Sequence, residues 1–273
     1  MTMPYAQEPE RQACVLTIAG LDPSGGAGIA ADLRMIRAAG LWGCAAVAVL
    51  TVQSTAGLLS ATPVDPHLVI AQAREVLAHQ RVASIKTGAL GSVDNVRAVF
   101  ALLAQYPDIP VVIDPVMIAT RAPSGARLLD ATALHALREG LKLATVVTPN
   151  VDEAEALLGM RIADADDLVR AARALVRAGA RAALVKGGHL ADGPSIDALA
   201  IGPRALKFIA PRLPLAPFHG GGCSLASLIA AYLAKLGASD DREVIESVRR
   251  ARRALRRSLR KTTDIGDGLL VLP

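Results

Sequence analysis

Short apolar runs rich in β-branched residues alternate along this chain with longer stretches of helical, 3.6-residue periodicity. Residues 14–19 form the first run, bounded by Gly20, and predict a buried strand. A glycine-rich loop over 20–28 and a helix over 29–39 follow. The pattern continues with a strand over 45–51, a helix over 66–79, a strand over 83–87 and a helix over 93–104. Residues 111–114 predict a strand ending in the carboxylate of Asp114. After a helix over 130–140 comes a strand over 145–148, stopped by Pro149, then helices over 151–158 and 165–178. A strand over 182–186 ends in Gly187-Gly188-His189, and the short runs 196–201 and 206–210 predict a hairpin-like addition. Last come His219-Gly220-Gly221-Gly222-Cys223-Ser224, an uncharged apolar helix from Leu225, and a basic helix.

Strands alternating with helices of this length predict repeated βαβ units, hence an α/β fold with a mostly parallel sheet covered on both faces. No internal repeat or linker interrupts the pattern, so residues 13–273 are expected to form one domain after a disordered lead-in over 1–12. Ligands of such sheets bind beyond the C-terminal ends of the strands. Polar or glycine-rich residues collect there: 22–28, 53–55, 86–88, Asp114, 150–153 and 186–189.

Composition sharpens this picture. With 52% hydrophobic residues and only 3% aromatic, the core must be built from Ala, Val, Leu and Ile, and few rings remain to stack on single-stranded nucleic acid. No apolar run reaches membrane-spanning length, and the first residues lack a signal-peptide pattern. Three widely spaced cysteines, Cys14, Cys44 and Cys223, argue against a disulfide framework and for a reducing cytoplasm. The net charge of +5 is uneven: eight of the thirteen residues from Arg249 to Lys261 are basic. That segment predicts an amphipathic helix with a solvated basic face; an acidic or nucleic-acid partner is the competing reading.

The chemistry centres on the glycine loop. A helix opening on glycines presents free N–H groups and a positive dipole end, which suit an anion. Cys223 stands at that end, where a thiol's pKa is expected to fall. A plain glycine turn beside a structural cysteine fits the same residues. P-loop, dinucleotide-fingerprint, zinc-cluster and nucleophile-elbow spacings are absent. Asp114, and Asn150 with Glu153 one helical turn on, can hold Mg²⁺ or serve only as a turn residue and a helix N-terminus. Lys186 can neutralise nucleotide phosphates or stay solvated.

Six segments occur in order: 19-AGLDPSGGAGI-29, 86-KTG-88, 114-DPVM-117, 148-TPNxxE-153, 186-KGGH-189 and 219-HGxGC-223. Together they resemble the hydroxymethylpyrimidine/phosphomethylpyrimidine kinases of thiamine biosynthesis, within the ribokinase-like superfamily, over residues 15–259. The resemblance implies a ribokinase-like three-layer sandwich, ATP and Mg²⁺, and a homodimer. The acceptor it implies is 4-amino-5-hydroxymethyl-2-methylpyrimidine and then its monophosphate. It places Gln53, Ala27, Asp22, Val116 and Ala89 on the substrate, Lys186 and Asn150 on the nucleotide, and Asp114 and Glu153 on the metal. It makes Gly220, Gly221 and Gly222 the anion hole and Cys223 the base.

This chain departs from the family pattern at several points. Gly221 replaces the usual threonine, Leu21 a Ser or Thr, and Ala89 a methionine, which would enlarge the pocket. Residues 118–128, with Arg121 and Arg127, look like a longer loop that can act as a lid, and the C-terminus lacks the common Gly-Pro-Val-type ending. Two alternatives to the pyrimidine kinase follow: a pyridoxal/pyridoxamine kinase, and a degenerate kinase that binds ligand without turnover.

Overall fold

The computed structural model describes residues 12–117, 128–129, 132–188 and 193–273. From the N-terminus the elements are β1 (Cys14–Leu21), α1 (Gly28–Ala38), β2 (Trp42–Ser54), β3 (Gly57–Pro63), α2 (Pro66–His79), β4 (Val82–Thr87) and α3 (Val93–Leu103). Next come β5 (Val111–Ile113), α4 (Ala133–Gly140), β6 (Val146–Val147), α5 (Val151–Leu158), α6 (Ala165–Arg177) and β7 (Ala182–Lys186). The chain ends with β8 (Ser195–Ile201), β9 (Arg204–Ala210), β10 (Phe218–His219), α7 (Gly221–Leu236), α8 (Asp241–Leu259) and β11 (Leu270–Val271).

Nine strands form one sheet in the order β3-β2-β1-β4-β5-β6-β7-β8-β9. The six central strands, β2-β1-β4-β5-β6-β7, are parallel. Antiparallel neighbours close both edges: β3 on β2, and the β8–β9 hairpin on β7. The central strands are mostly apolar on both faces, as a doubly covered parallel sheet requires, with β4 the exception: Ser84 and Lys86 share one of its faces. Leu16 and Ile18 of β1 enter the core shared with α2 to α6, whereas Val15 enters the core shared with α1, α7 and α8. Val185 and Leu184 of β7 divide in the same way.

Local chemistry sets the element ends. Asp65 caps α2 by accepting from the His67 and Leu68 amides, with Pro66 in the first helical position, where its missing N–H costs nothing. Asn150 and Asp240 begin α5 and α8 with capping boxes. Three elements, β3, β10 and β11, have no counterpart in the sequence pattern. β2 runs on to Ser54 and folds back as β3, whose alternation is broken by a register shift opposite Val52 and Gln53. The C-terminal tail returns as β11 and pairs with β10 beside the glycine loop. The lead-in over 1–11, the loop over 118–127 with Arg121 and Arg127, and His189 lie outside the described residues.

Candidate active site

The strand ends converge around two glycine loops. Asp22 follows β1, and its buried carboxylate accepts from the Ser24 amide (2.9 Å), the Ser24 hydroxyl (2.7 Å) and the Ala27 amide (2.9 Å). Segment 22–28 is therefore wrapped around one carboxylate. Gly28 has φ +56°, and a Cβ there would run into the Gly20 carbonyl oxygen. Gly220 has φ +80°, and its Cβ would run into the Gly26 carbonyl oxygen. Only glycine meets both demands, so the loops pack back to back. Arg34 locks this junction by donating to the carbonyls of Gly25 and Leu272. The tail also reaches the β2–β3 turn: the Leu269 amide donates to the Thr55 carbonyl at 3.0 Å, and the Thr55 hydroxyl to the Asp267 carbonyl at 2.6 Å. An ending that departs from the family pattern is thus built into the site.

His219 links the two sides. Its Nε2 lies 2.9 Å from Asp22 Oδ2 and 2.9 Å from Gln53 Nε2. A carboxylate only accepts, so Nε2 carries its proton toward Asp22. The Gln53 amide then satisfies the same proton when its oxygen faces the ring. Burial pushes the Asp22 carboxyl up, but the His219 and Ser24 contacts more than offset it, and the group ends below the usual range. His219 Nδ1 is buried without a partner among the described residues. Asp22 therefore organises the loop and His219, and Gln53 is the member of this array left half-exposed to a ligand. Ala27 and Val116 are also half-buried. The space beside Ala89 is not open: Leu58 of β3 and Leu128 pack there, with Val116 against them.

Two residues after His219, α7 begins at Gly221, earlier than the apolar run alone indicates. A Cβ at Gly222 would stand 3.1 Å from Lys186 Nζ and 3.9 Å from Asp114 Oδ2, so the helix start lies against both groups. Lys186 Nζ is 3.0 Å from Asp114 Oδ1 and 4.0 Å from Glu153 Oε2. The Thr148 hydroxyl donates to Asp114 Oδ1 at 3.0 Å. Asn150 and Glu153 also close the α5 capping box at 2.8 Å in each direction, so each has a structural task beside the ligand role expected of it. Burial, with Asp114 nearby, pushes the Glu153 carboxyl up to about 7 despite Lys186. Burial opposes the Lys186 charge, but Asp114 and Glu153 outweigh it and raise its pKa.

Cys223 corrects one expectation. A helix N-terminus lowers a thiol's pKa, yet here burial dominates and pushes it up to about 11. Asp114 and Asp32 add to the rise; Lys86 and the Gly28 amide N–H pull against it. The resting residue is a thiol.

One cluster escaped the sequence reading. Asp32 of α1 and Lys86 of β4 are fully buried, 2.7 Å apart. The Thr17 hydroxyl donates to Asp32 Oδ2 at 2.6 Å and the Ser227 hydroxyl to Asp32 Oδ1 at 2.7 Å. A Cβ at Gly88 would stand 2.8 Å from Lys86 Nζ, which explains the Lys-Thr-Gly spacing: the glycine leaves room for the ammonium. The available signal was a charge on the core-facing side of each pattern. The basic helix, by contrast, is partly paired. Arg252 meets Asp197 at 2.7 Å and lies over Phe208, and Arg250 meets Glu246 at 2.9 Å.

A mostly parallel sheet with polar residues at its strand ends, a helix opening on glycines and a lysine–carboxylate cluster fit a small-molecule kinase of ribokinase-like fold. The sequence model of a family described as phosphomethylpyrimidine kinase matches residues 22–272, and the chain belongs to that family. The hydroxymethylpyrimidine/phosphomethylpyrimidine kinase of Streptomyces coelicolor is 44% identical over 222 residues, 81% of each chain. The thiamine biosynthesis bifunctional protein ThiED of Geobacter sulfurreducens is 40% identical over 261 residues; these are 95% of this chain, which spans about half (52%) of that relative. Among solved structures, an ADP complex of Bacillus subtilis pyridoxal kinase superposes with a TM-score of 0.86 at 29% identity, covering 96% of this chain and 97% of the other. Phosphomethylpyrimidine kinase from Clostridium difficile gives 0.73 at 32% identity, covering 89% and 100%. No helix among the described residues is long and apolar enough to cross a membrane, and all three cysteines are free.

Proposed function

We propose that this chain transfers the γ-phosphoryl group of ATP to the hydroxymethyl oxygen of 4-amino-5-hydroxymethyl-2-methylpyrimidine, and then to the phosphate of the resulting monophosphate, for thiamine diphosphate synthesis. The observation that carries this reading is the meeting of two groups of residues at one glycine loop: the Gln53–His219–Asp22 array just before it, and the α7 start against Lys186 and Asp114. The amide of Gln53 matches a ring nitrogen beside an exocyclic amino group, because it donates and accepts together. The N–H groups at Gly221 and Gly222 and the Lys186 ammonium stabilise charge on the moving phosphoryl group. The substrate oxygen forms the new P–O bond as the bond to the β-phosphate oxygen breaks. The hydroxyl proton passes to the sulfur of Cys223 in its thiolate form.

The residues fit Mg²⁺ as a partner of the ATP phosphates rather than as an ion caged by protein. Among the described residues no three potential ligands cluster, while Asp114 and Glu153 turn Oδ1 and Oε2 toward Lys186 and keep Oδ2 and Oε1 out of any hydrogen bond there. Asp114 and Glu153 would hold the ion through water; when bound, it screens the phosphate charge. A homodimer in the cytoplasm belongs to the same reading, with exposed Leu50, Val52 and Leu59 of the β2–β3 hairpin offering apolar surface for it. Sedimentation at the mass of one protomer overturns that element.

Coupled ADP release tests the assignment, with hydroxymethylpyrimidine, its monophosphate and pyridoxal offered separately. Turnover of the pyrimidines is expected. Turnover of pyridoxal alone promotes the second reading, favoured by the likeness to pyridoxal kinase. No turnover by folded protein leaves a ligand-binding relative of the kinases.

A further inference from the structure

We propose that the C-terminal tail, residues 267–272, is a positioning element for the ring-binding side of the site: it ties the β2–β3 turn to β10 and so holds Gln53 and His219 together for the substrate ring. The inference rests on Gln53 being the ring contact of the proposed transfer. Gln53 and His219 stand 166 positions apart and meet at 2.9 Å. They do not share a sheet: Gln53 is on β2 of the nine-stranded sheet, and His219 is on β10, which pairs with β11 alone. No backbone hydrogen bond among the described residues joins the turn over 54–57 to β10 directly. At Gln53 the β2–β3 ladder also shifts register, so the pairing there is interrupted. Asp22 holds the His219 ring by its tip. The tail holds the backbones that carry both side chains, and a hydrogen bond weakens steeply once its partners drift.

The attachments follow one another along the tail. The buried Thr55, two residues beyond Gln53, donates its hydroxyl to the Asp267 carbonyl at 2.6 Å and accepts from the Leu269 amide at 3.0 Å on its own carbonyl. Between these contacts Gly268 has φ +117°, and a Cβ there would run into the same Thr55 carbonyl, so only glycine lets the tail lie against the turn. The Leu270 amide then donates to the Pro217 carbonyl at 3.1 Å, and Val271 stands in register with His219. Thr263 secures Val271 through amide–carbonyl bonds in both directions, 2.9 and 3.0 Å. A Cβ at Gly26 would stand 2.6 Å from His219 Cδ2 and 3.1 Å from Val271 Cγ1, so the ring and this valine cover Gly26 side by side. Leu272, also buried, gives its carbonyl to Arg34. Residues 267–272 thus touch the turn after Gln53, the strand of His219 and the loop wrapped on Asp22. Among the described residues, no hydrogen bond or ion pair of the tail reaches Lys186, Asp114 or Glu153, so its effect falls on the ring and not on the phosphates.

The test compares the KM for hydroxymethylpyrimidine with the KM for ATP in the full chain, and follows tail docking by hydrogen exchange of the peptides spanning 217–220 and 267–272. Gly268→Ala drives a methyl group into the Thr55 carbonyl. Faster exchange of both peptides is expected, with the pyrimidine KM raised about tenfold or more and the ATP KM within about twofold of wild type. Thr55→Val removes one hydroxyl and should raise the pyrimidine KM about three- to tenfold, whereas Thr55→Ser keeps the hydroxyl and should keep the wild-type value. Faster exchange with an unchanged pyrimidine KM overturns the proposal. So does an equal rise in both KM values, the mark of general loosening. Should Gly268→Ala fail to fold or exchange like wild type, the Thr55 pair decides: equal pyrimidine KM values in Thr55→Val and Thr55→Ser overturn the proposal. A wild type that phosphorylates pyridoxal and not the pyrimidine ends the pyrimidine reading, while the same KM split measured with pyridoxal still supports the tail's role. Where the pyrimidine binds without turnover, its calorimetric Kd replaces KM with the same two outcomes, and binding of neither ring overturns both readings.

Discussion

Two lysines stand in the last two positions of parallel strands of this sheet, and each holds an aspartate. Lys86 meets Asp32 at 2.7 Å with neither side chain exposed; Lys186 meets Asp114 at 3.0 Å with 15% of its side chain open to solvent. The pairs are chemically alike and differ in access. A sealed pair cannot exchange its partner without leaving an uncompensated buried charge. An open pair can surrender its carboxylate to an arriving phosphate at little cost, and Glu153 stands by as a second carboxylate at 4.0 Å. Burial thus turns one lysine into part of the frame and leaves the other accessible for the phosphate role proposed for it.

Breaking the sealed pair is the harshest test of this contrast. Lys86→Met strands Asp32 in the core, and a loss of about 3–5 kcal/mol in folding stability is expected from chemical denaturation. A midpoint unchanged from wild type would show that water reaches Asp32 and that the pair is not sealed. Lys186→Met should invert the pattern. Single-turnover phosphoryl transfer is expected to fall by roughly 10²–10³-fold, the usual loss for one preorganised electrostatic group. Its stability cost should be clearly smaller than that of Lys86→Met, because Asp114 keeps the Thr148 hydroxyl and can be hydrated. Equal stability losses in the two variants would erase the distinction between frame and ligand group.

The sulfur between these lysines sharpens the comparison through pH. Its pKa is raised above the ordinary 9 to about 11, so the folded chain keeps this proton longer than the unfolded chain does. The sign follows: the thiol favours folding below about 9, and that contribution is lost as pH climbs toward 11. For catalysis the thiolate fraction grows about tenfold per unit below that pKa. Single-turnover rates with the pyrimidine substrate are therefore expected to climb steeply from pH 7 to 9 and to lose that slope in Cys223→Ala. A flat wild-type profile would remove proton transfer to sulfur from the rate-limiting step.

How far all this was readable in advance depended on range along the chain. The strands and helices of the parallel core follow from apolar periodicity, and residues 66–79 and 182–186 coincide with α2 and β7. Asp114, Lys186, Glu153 and the glycine loop were recognisable because each stands where a strand or helix ends. β3 was not, since a bulge opposite Gln53 breaks its alternation and leaves Leu58 buried beside an exposed Leu59. The Asp32–Lys86 pair and the docking of the tail on Thr55 join residues 54 and 212 positions apart, and no local pattern encodes a partner at that range. The pKa of Cys223 failed for the related reason that helix position is local and desolvation is not.

Gly221 offers the finest probe, because sequence and structure weigh it differently. By motif, Gly221→Thr restores the usual residue and should be harmless. By geometry, a Cβ there would stand 2.6 Å from Cε2 of Phe218, closer than side chains tolerate. Phe218 lies on β10, held by the pairing with β11, so the ring can turn but its backbone is tied. The expected outcome is an active but destabilised enzyme, with a loss of about 1–3 kcal/mol typical of overpacking and only a few-fold change in kcat. Removing the ring in Gly221→Thr/Phe218→Ala should recover part of that stability, giving a non-additive double-mutant cycle in thermal denaturation. Strict additivity would mean that Phe218 does not fill the space vacated at 221, and that the short glycine in this anion hole has some other cause than the neighbouring ring.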